Sequence, residues 1–255
     1  MNYYREFELA KRWMIVAYKK VVCRMSFNVV EKADRTVVTE VDTAVEDYFI
    51  EEIKKNFPDD NFVSEERYPN NQIKDRTWVI DPIDGTCAFI KGLPTWGMQL
   101  AFVDNGVTQF SYIYLPKLNE LYSAYRGRGV TLNGKKLKFP NPDLKIDESV
   151  TEYCGRIGDK ARVMGPIYDM LDDKVKNQFA FGSATCSFVN VVTGRCDALL
   201  SGCTHPWDIY AGEFMLDEAG INKYKSKLGV NVYSNSTQLF NKMKSELKAH
   251  EKRIG

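Results

Sequence analysis

Two aspartates follow a short apolar run in the first third of the chain. Residues 78–80, Trp-Val-Ile, are typical of the buried end of a strand, and we expect that strand to stop at the proline after Asp81 because proline cannot donate a ladder hydrogen bond. Asp84, Gly85 and Thr86 come next. Carboxylates and carbonyl oxygens are the ligands that Mg²⁺ prefers. A helix that opens at Gly85 would direct N–H groups at an anion.

These residues favour phosphate chemistry beside a divalent cation. The alternative interpretation is an ordinary surface turn, since Asp-Gly is a common turn pair. Cys87 has no histidine close by in the sequence that could activate it, so the stretch offers no covalent nucleophile.

Three other places in the chain carry acids that could join such a site. Glu65 and Glu66 follow a short predicted strand, and paired carboxylates repel each other unless a cation or a lysine neutralises them. Asp42 and Asp208 each precede a predicted helix. The simpler interpretations are a solvated acidic corner for the two glutamates and an N-cap for each aspartate.

Three segments resemble the signatures of the inositol monophosphatase family of Mg²⁺-dependent, Li⁺-sensitive phosphatases. They are Asp-Pro-Ile-Asp-Gly-Thr at 81–86, Trp-Asp-Ile-Tyr-Ala-Gly at 207–212 and Ser-Glu-Glu at 64–66. They occur in the family's order, and the likeness extends from about Phe7 to Leu247. One of these segments alone would be moderately specific, whereas three in order make a chance match a poor explanation.

The resemblance implies a role for each matching residue. It implies that two to three Mg²⁺ ions are bound by five groups, namely Glu65, Asp81, the carbonyl of Ile83, Asp84 and Asp208. It implies catalytic roles for Asp42, Glu65 and Thr86 in activating and orienting the attacking water. It also implies a substrate-binding set, namely Asp84, Gly85, Thr86, Ser183 and Asp208. For Ser183, a simple N-cap is an equally good interpretation.

The substrate implied by the resemblance is a small phosphomonoester, with inositol-1-phosphate or a related sugar or polyol phosphate first. Family members that act on inositol phosphate often carry an acid seven residues before the aspartate of the Trp-Asp signature, and Ser201 stands there. Histidinol phosphate, fructose-1,6-bisphosphate and 3'-phosphoadenosine-5'-phosphate therefore stay open. So does a non-enzymatic binding protein that acts on the transcription machinery. The family also implies a homodimer.

Composition narrows the remaining possibilities. The net charge is +1, from 35 basic and 34 acidic residues, so no strong field favours nucleic acid or a membrane surface. No segment reaches the roughly 18 apolar residues of a membrane span. The six cysteines form no Cys-x-x-Cys pair and the two histidines are not at metal-ligand spacing, which argues against zinc. We expect reduced cysteines and a cytoplasmic protein.

The resemblance implies an α+β fold, a layered α-β-α-β-α sandwich of the inositol monophosphatase and fructose-1,6-bisphosphatase type. We expect an N-terminal α+β subdomain over 1–140, with the antiparallel sheet and the metal site, and a C-terminal α/β subdomain over 141–255. Thr43 and Glu46 predict a capping box at the start of a helix. Turn signals from residue 95 to 134 predict antiparallel strands, and residues 159–171 predict a helix.

Overall fold

The computed structural model describes residues 2–26, 28–31, 37–139, 142–155, 171 and 173–254. Its α-helices are α1 (Tyr4–Ala17, continued by a π-helix over Tyr18–Val22), α2 (Glu40–Asn56), α3 (Thr86–Ile90), α4 (Ala184–Thr193), α5 (Pro206–Glu218) and α6 (Thr237–Ile254). Its strands are β1 (Val29–Glu31), β2 (Val37–Thr39), β3 (Asn61–Ser64), β4 (Arg76–Asp84), β5 (Gly97–Asp104), β6 (Val107–Leu115), β7 (Glu120–Tyr125), β8 (Gly129–Leu132), β9 (Lys135–Lys136), β10 (Val150–Cys154), β11 (Asn177–Phe179), β12 (Ala198–Ser201), β13 (Asn222–Lys225) and β14 (Asn231–Ser234).

The larger sheet has the strand order β3-β4-β5-β6-β7-β8-β9. Only β3 and β4 pair in parallel, and the other neighbours are antiparallel. Asn105-Gly106 and Asn133-Gly134 form the predicted tight turns, since both residues of each pair have positive φ. The antiparallel meander expected from the sequence is therefore confirmed.

Both faces of the larger sheet are buried. Successive residues of a strand point to opposite faces, so Trp78 and Ile80 pack in a core with α1 and α2, whereas Val79 packs in a second core with Phe188 of α4 and Leu216 of α5. The run Trp-Val-Ile is apolar throughout because each of its faces meets a different layer of helices.

The smaller sheet completes the layers. Its order is β11-β10-β12-β14-β13, with β10 parallel to both β11 and β12 and with antiparallel pairing of β14 to β12 and β13. One side of it contacts the core shared with α4 and α5, and the other packs against α6. The sequence of layers is α1/α2, larger sheet, α4/α5, smaller sheet, α6. The predicted α-β-α-β-α sandwich is confirmed.

Three local predictions are corrected. Helix α2 begins at Glu40, because Thr39 is the N-cap and Asp42, the third helical residue, completes the capping box. Asp42 therefore lies inside the first turn of α2. Asp208 is likewise the third residue of α5, whose N-cap is His205. Strand β4 does not stop at Pro82 but continues to Asp84. Its pairing with β5 shifts register between Asp81 and Asp84, so the ladder does not require an N–H at position 82.

The subdomain boundary at 140 stays a prediction, and residues 140 and 141 lie outside the described residues. Nearly all of the helix expected over 159–171 also lies outside them. Helix α5 packs on the larger sheet, where the Ser111 hydroxyl donates to the carbonyl of Ala211 over 3.0 Å. None of the described helices is long and apolar enough to pass through a membrane.

Candidate active site

Three carboxylates from two layers of the fold converge at one end of β4. Asp81 and Asp84 lie on β4, and Asp208 lies in the first turn of α5. One oxygen from each of the three falls within 4.8 Å of the others. Asp81 is 1 % exposed. These acids are separated by as much as half of the chain, and the packing of α5 on the larger sheet places them side by side.

The electrostatics of Asp81 indicate a site built for a cation. Burial raises the pKa of Asp81 well above its ordinary value, and the negative charges of Glu65, Asp84 and Asp208 raise it further. The amide of Gln99 donates to one Asp81 oxygen over 3.3 Å. The other oxygen, Oδ1, is buried without a hydrogen-bond partner. An orphaned buried carboxylate oxygen facing other acids fits a hard divalent cation.

Glu65 belongs to the same electrostatic group, since its charge acts on Asp81. It follows β3, and the turn that carries it is held by a buried carboxylate of α2. Glu46 accepts hydrogen bonds from the Ser64 hydroxyl (2.6 Å) and from the backbone N–H groups of Glu66 (2.9 Å) and Arg67 (2.7 Å). Glu46 was expected to cap a helix, and its carboxylate instead binds the side chain before Glu65 and the two backbone N–H groups after it.

The carboxylate of Asp84 is fixed by the start of α4. One Asp84 oxygen accepts from the Ser183 hydroxyl (2.7 Å), the Thr185 hydroxyl (2.7 Å) and the Thr185 N–H (2.5 Å). Ser183 is also the N-cap of α4, since its oxygen accepts from the N–H of Cys186 over 3.3 Å. The N-cap interpretation of Ser183 is therefore correct, and the same hydroxyl orients Asp84.

Thr86 connects the end of β4 with α2. Its hydroxyl lies 3.1 Å from Asp42 Oδ1 and 3.1 Å from the carbonyl oxygen of Ile83, and its single proton can serve one of them at a time. The other oxygen of Asp42 accepts from the N–H (2.9 Å) and the hydroxyl (2.5 Å) of Thr39. Burial raises the pKa of Asp42 to about 6, against the lowering effect of these hydrogen bonds.

Two glycines are required by close packing at the site. Gly85 has φ +85°, and a Cβ there would lie 3.0 Å from both Ser183 Cβ and the carbonyl oxygen of Thr95. A Cβ at Gly212 would lie 2.2 Å from the ring of Phe188. Gly212 therefore lets α4 and α5 approach closely. This contact brings the start of α4, which binds Asp84, next to the first turn of α5, which contains Asp208.

The structure thus places the predicted residues around one end of β4, and it adds three that the sequence did not reveal: Glu46, Gln99 and Thr185. The contacts of these three are with residues remote in the chain, so no local motif marks them. The one available signal was the spacing of Glu46 four residues after Asp42, which puts both on the same face of α2.

A model of the inositol monophosphatase family matches residues 5–252. The chain belongs to the inositol monophosphatase family. Among its relatives, a fructose-1,6-bisphosphatase/inositol-1-monophosphatase of Thermotoga maritima is 34% identical over 186 residues, covering 73% of this chain and 70% of the relative. The Nus factor SuhB of Escherichia coli K12 is 34% identical over 195 residues, covering 74% and 72%. The resemblance found in the sequence is confirmed.

A solved structure of this family supports the fold independently. The Thermotoga maritima IMPase superposes with a TM-score of 0.86 at 26% sequence identity, covering 98% of this chain and 100% of that one. As a member of the inositol monophosphatase family, the chain is a phosphomonoester hydrolase, and its acidic cluster is able to bind metal ions.

Proposed function

We propose that the chain hydrolyses inositol-1-phosphate or a related sugar or polyol phosphate with the help of Mg²⁺. The observation that carries this proposal is the convergence of Asp81, Asp84 and Asp208, with one buried Asp81 oxygen left without a partner. A pocket of this kind is costly without cations because its carboxylates repel one another.

Five groups would hold two to three ions: Glu65, Asp81, the carbonyl of Ile83, Asp84 and Asp208. When bound, Mg²⁺ supplies an acidified water as the nucleophile and charge stabilisation for the leaving alkoxide. The Ile83 carbonyl has two lone pairs, so it can accept from Thr86 and still face a cation. The fixed geometry of Asp84 presets its remaining oxygen for the same task.

The residues of the chain itself would handle the proton and the phosphate. The Thr86 hydroxyl can accept a hydrogen bond from the attacking water while its own proton points to Asp42, and an ionised Asp42 favours that orientation. Glu65 would assist in activating that water. The N–H groups of Gly85 and Thr86, at the start of α3, would bind phosphate oxygens, and Asp208 would face the alcohol portion of the substrate. Ser183 is buried, so it would contribute to substrate binding by holding Asp84 in place.

The choice among substrates depends on the region of Ser201. Ser201 is buried at the end of β12, and its hydroxyl oxygen accepts from the N–H of Cys203 over 3.2 Å. Because this residue is a serine and not an acid, the position offers no carboxylate to the hydroxyl groups of a sugar. The name of the Thermotoga maritima relative supports both an inositol phosphate and a fructose bisphosphate. Turnover over a panel of these two, histidinol phosphate and 3'-phosphoadenosine-5'-phosphate would rank them.

The non-enzymatic alternative, a binding protein of the transcription machinery, is kept open by relatives named Nus factor SuhB. The intact acid cluster favours the enzyme. We also propose that the protein is a homodimer and that Li⁺ inhibits it. We propose a cytoplasmic location, which agrees with six free cysteines. Light scattering on the purified chain would test the dimer, and phosphate release in the presence of Li⁺ would test the inhibition.

The decisive experiment measures phosphate release with and without Mg²⁺. We expect Asp81→Asn to lower turnover at least about 100-fold, since even changes next to metal ligands cost 10–100-fold. Asp208→Asn should behave similarly, while Asp217→Asn, at the exposed end of the same helix, provides a matched control with wild-type turnover. Unchanged turnover in Asp81→Asn, or activity that is independent of Mg²⁺, would disprove the proposal.

A further inference from the structure

Two cysteines lie side by side next to the acidic cluster. Cys154 ends β10, and Cys203 follows the parallel neighbour β12 by two residues. Their sulfur atoms are 3.6 Å apart. The two backbones stay together beyond the strands, because the N–H of Gly202 donates to the carbonyl of Cys154 over 2.7 Å. A Cβ at Gly155 would lie 3.3 Å from the Cα of Gly202, so small residues permit this approach.

We propose that Cys154 and Cys203 form a reversible disulfide that lowers phosphatase activity. A disulfide needs the sulfurs at about 2.0 Å, so they must close by roughly 1.6 Å from their present 3.6 Å. Residues 202–204 belong to neither β12 nor α5, and this irregular segment can shift without breaking a strand ladder. The other buried cysteines, Cys186 and Cys196, show no comparable sulfur–sulfur contact among the described residues.

The chemistry requires only a small-molecule disulfide such as oxidised glutathione. The Cys203 thiolate attacks one sulfur of that reagent, forms a mixed disulfide and releases one thiol. The Cys154 thiolate then attacks the Cys203 sulfur and displaces the second thiol. The two protein thiols together lose two protons and two electrons, and the reagent gains them as two thiols. Cys203 reacts first because it is half-buried, whereas Cys154 is buried.

The first turn of α5 connects this pair with the acids. Cys203 lies two residues before His205, the N-cap of α5, and the first turn of that helix carries Asp208. On the other side, Asp84 lies close enough to Cys154 for its charge to act on the thiol. Drawing Cys203 towards β10 therefore displaces the segment that positions Asp208. This consequence for activity rests on the proposed function.

The first test follows the covalent bond, independently of activity. The native full chain is incubated with oxidised glutathione, its remaining thiols are alkylated, and the intact mass and the cross-linked peptides are measured. We expect four alkylated thiols instead of six, with the remaining mass lower by about 2 Da because a disulfide between Cys154 and Cys203 replaces two S–H groups, and we expect dithiothreitol to restore six. Cys203→Ser should abolish it, and Cys23→Ser, which removes an exposed thiol elsewhere, should not. Retention of six alkylated thiols, or a link between other cysteines, would overturn the proposal.

The second test follows phosphate release from the same samples. We expect oxidised wild type to lose at least about fivefold in activity and to regain it with dithiothreitol, while Cys203→Ser and Cys203→Ala stay active in both conditions. A disulfide that leaves activity unchanged would refute the regulatory part. If the reduced protein releases no phosphate from any substrate, the proposed function fails, and the mass measurement still decides the fate of the disulfide.

Discussion

Asp42 combines two opposing influences on a single carboxyl group. It lies in the first turn of α2, where the helix dipole favours negative charge. Its hydrogen bonds from Thr39 and Thr86 also favour the charged form, but burial outweighs them and the nearby Glu66 adds repulsion, which brings the pKa to about 6. A carboxyl group that titrates near pH 6 suits a proton acceptor that must work near neutrality.

At the residue scale, we expect the metal-free wild type to lose stability relative to Asp42→Asn as the pH rises from about 4 to above 6. The carboxyl pKa is about 3.9 in an unfolded chain and about 6 in the folded protein. The folded state therefore binds more protons in this window, so its stability falls with increasing pH. A shift of about two units limits the change to about 3 kcal/mol. Urea unfolding in EDTA measures it.

Asp42→Asn is a suitable reference because its side chain keeps an acceptor for Thr39 and does not titrate. If the substitution changes the free energy of unfolding by a constant amount, the plot of that free energy against pH is displaced but its slope does not change. If the two proteins differed by the same free energy at every pH, Asp42 would not titrate in this window.

The residues of the site were predictable from the sequence to the extent that they occur in local motifs. Asp81, Asp84 and Thr86 share one short segment, so a strand and a turn suffice to bring them together. The convergence of Glu65 and Asp208 with them could be inferred only from the family resemblance. Spacing along the chain says nothing about contacts such as Gln99 with Asp81, which depend on how β5 lies beside β4.

At the element scale, α2 bears two of the acids that organise the site. Asp42 and Glu46 are one turn apart on its inner face. Asp42 accepts a hydrogen bond from Thr86, and Glu46 binds the Ser64 hydroxyl before Glu65 and the backbone N–H groups after it. The predicted start of α2 was wrong by four residues because Thr39 and Thr43 both precede an acid at capping-box spacing. The extended backbone of Thr39 decides between them, and Thr43 instead donates to a carbonyl within the helix.

We expect Glu46→Gln to raise the Mg²⁺ concentration for half-maximal activity about tenfold, the scale of changes behind a metal ligand. A glutamine keeps one acceptor oxygen and turns an NH₂ towards donors from Ser64, Glu66 or Arg67, which leaves a buried group unsatisfied. The free energy of unfolding should fall by about 1–3 kcal/mol. Titration of activity with Mg²⁺, beside urea unfolding, separates the two effects.

The neighbouring Asp47 provides the matched control. Asp47 also lies on α2, and it forms an ion pair with Arg67, which belongs to the turn that carries Glu65. This ion pair is exposed. Asp47→Asn should change stability by less than about 1 kcal/mol and leave the Mg²⁺ requirement unaltered. An equal shift in both variants would indicate that Glu46 supports the turn only through its charge.

At the scale of the whole molecule, the layers hold four acids close together in spite of their repulsion. We expect Asp81→Asn to raise the melting temperature in EDTA at pH 8 by a few degrees, since each kcal/mol moves the midpoint by about 2–4 °C in a chain of this size. The substitution removes the charge that burial and three neighbouring acids disfavour. Differential scanning calorimetry measures the shift.

Addition of Mg²⁺ should give wild type a higher melting temperature than Asp81→Asn, the reverse of the order in EDTA. A ligand that binds only the folded state stabilises it in proportion to its occupancy, so wild type should gain melting temperature with Mg²⁺ and Asp81→Asn should gain little. Asp217→Asn, which removes an exposed charge from α5, should follow wild type throughout. A lower melting temperature for Asp81→Asn in EDTA would show that this carboxylate stabilises the fold without metal.

The global arrangement was predictable in outline because turn signals and strand runs are local, and because the resemblance supplied the order of layers. Strand β13 was missed, since its residues alternate between half-buried and exposed and carry two lysines. The closeness of α4 and α5 also had no local sign. It follows from the contact of Gly212 with Phe188, and only the packed structure shows why that position excludes a side chain.

The packing of α5 on the larger sheet also bears on how the protein is made. Strands β4 to β8 are complete by residue 132, yet the helix that covers one of their faces starts at Pro206. While the ribosome adds the intervening residues, the nascent chain exposes the apolar side chains around Val79 to water. We expect the growing polypeptide to be most prone to aggregation in that interval, and a translational pause within it would prolong the exposure.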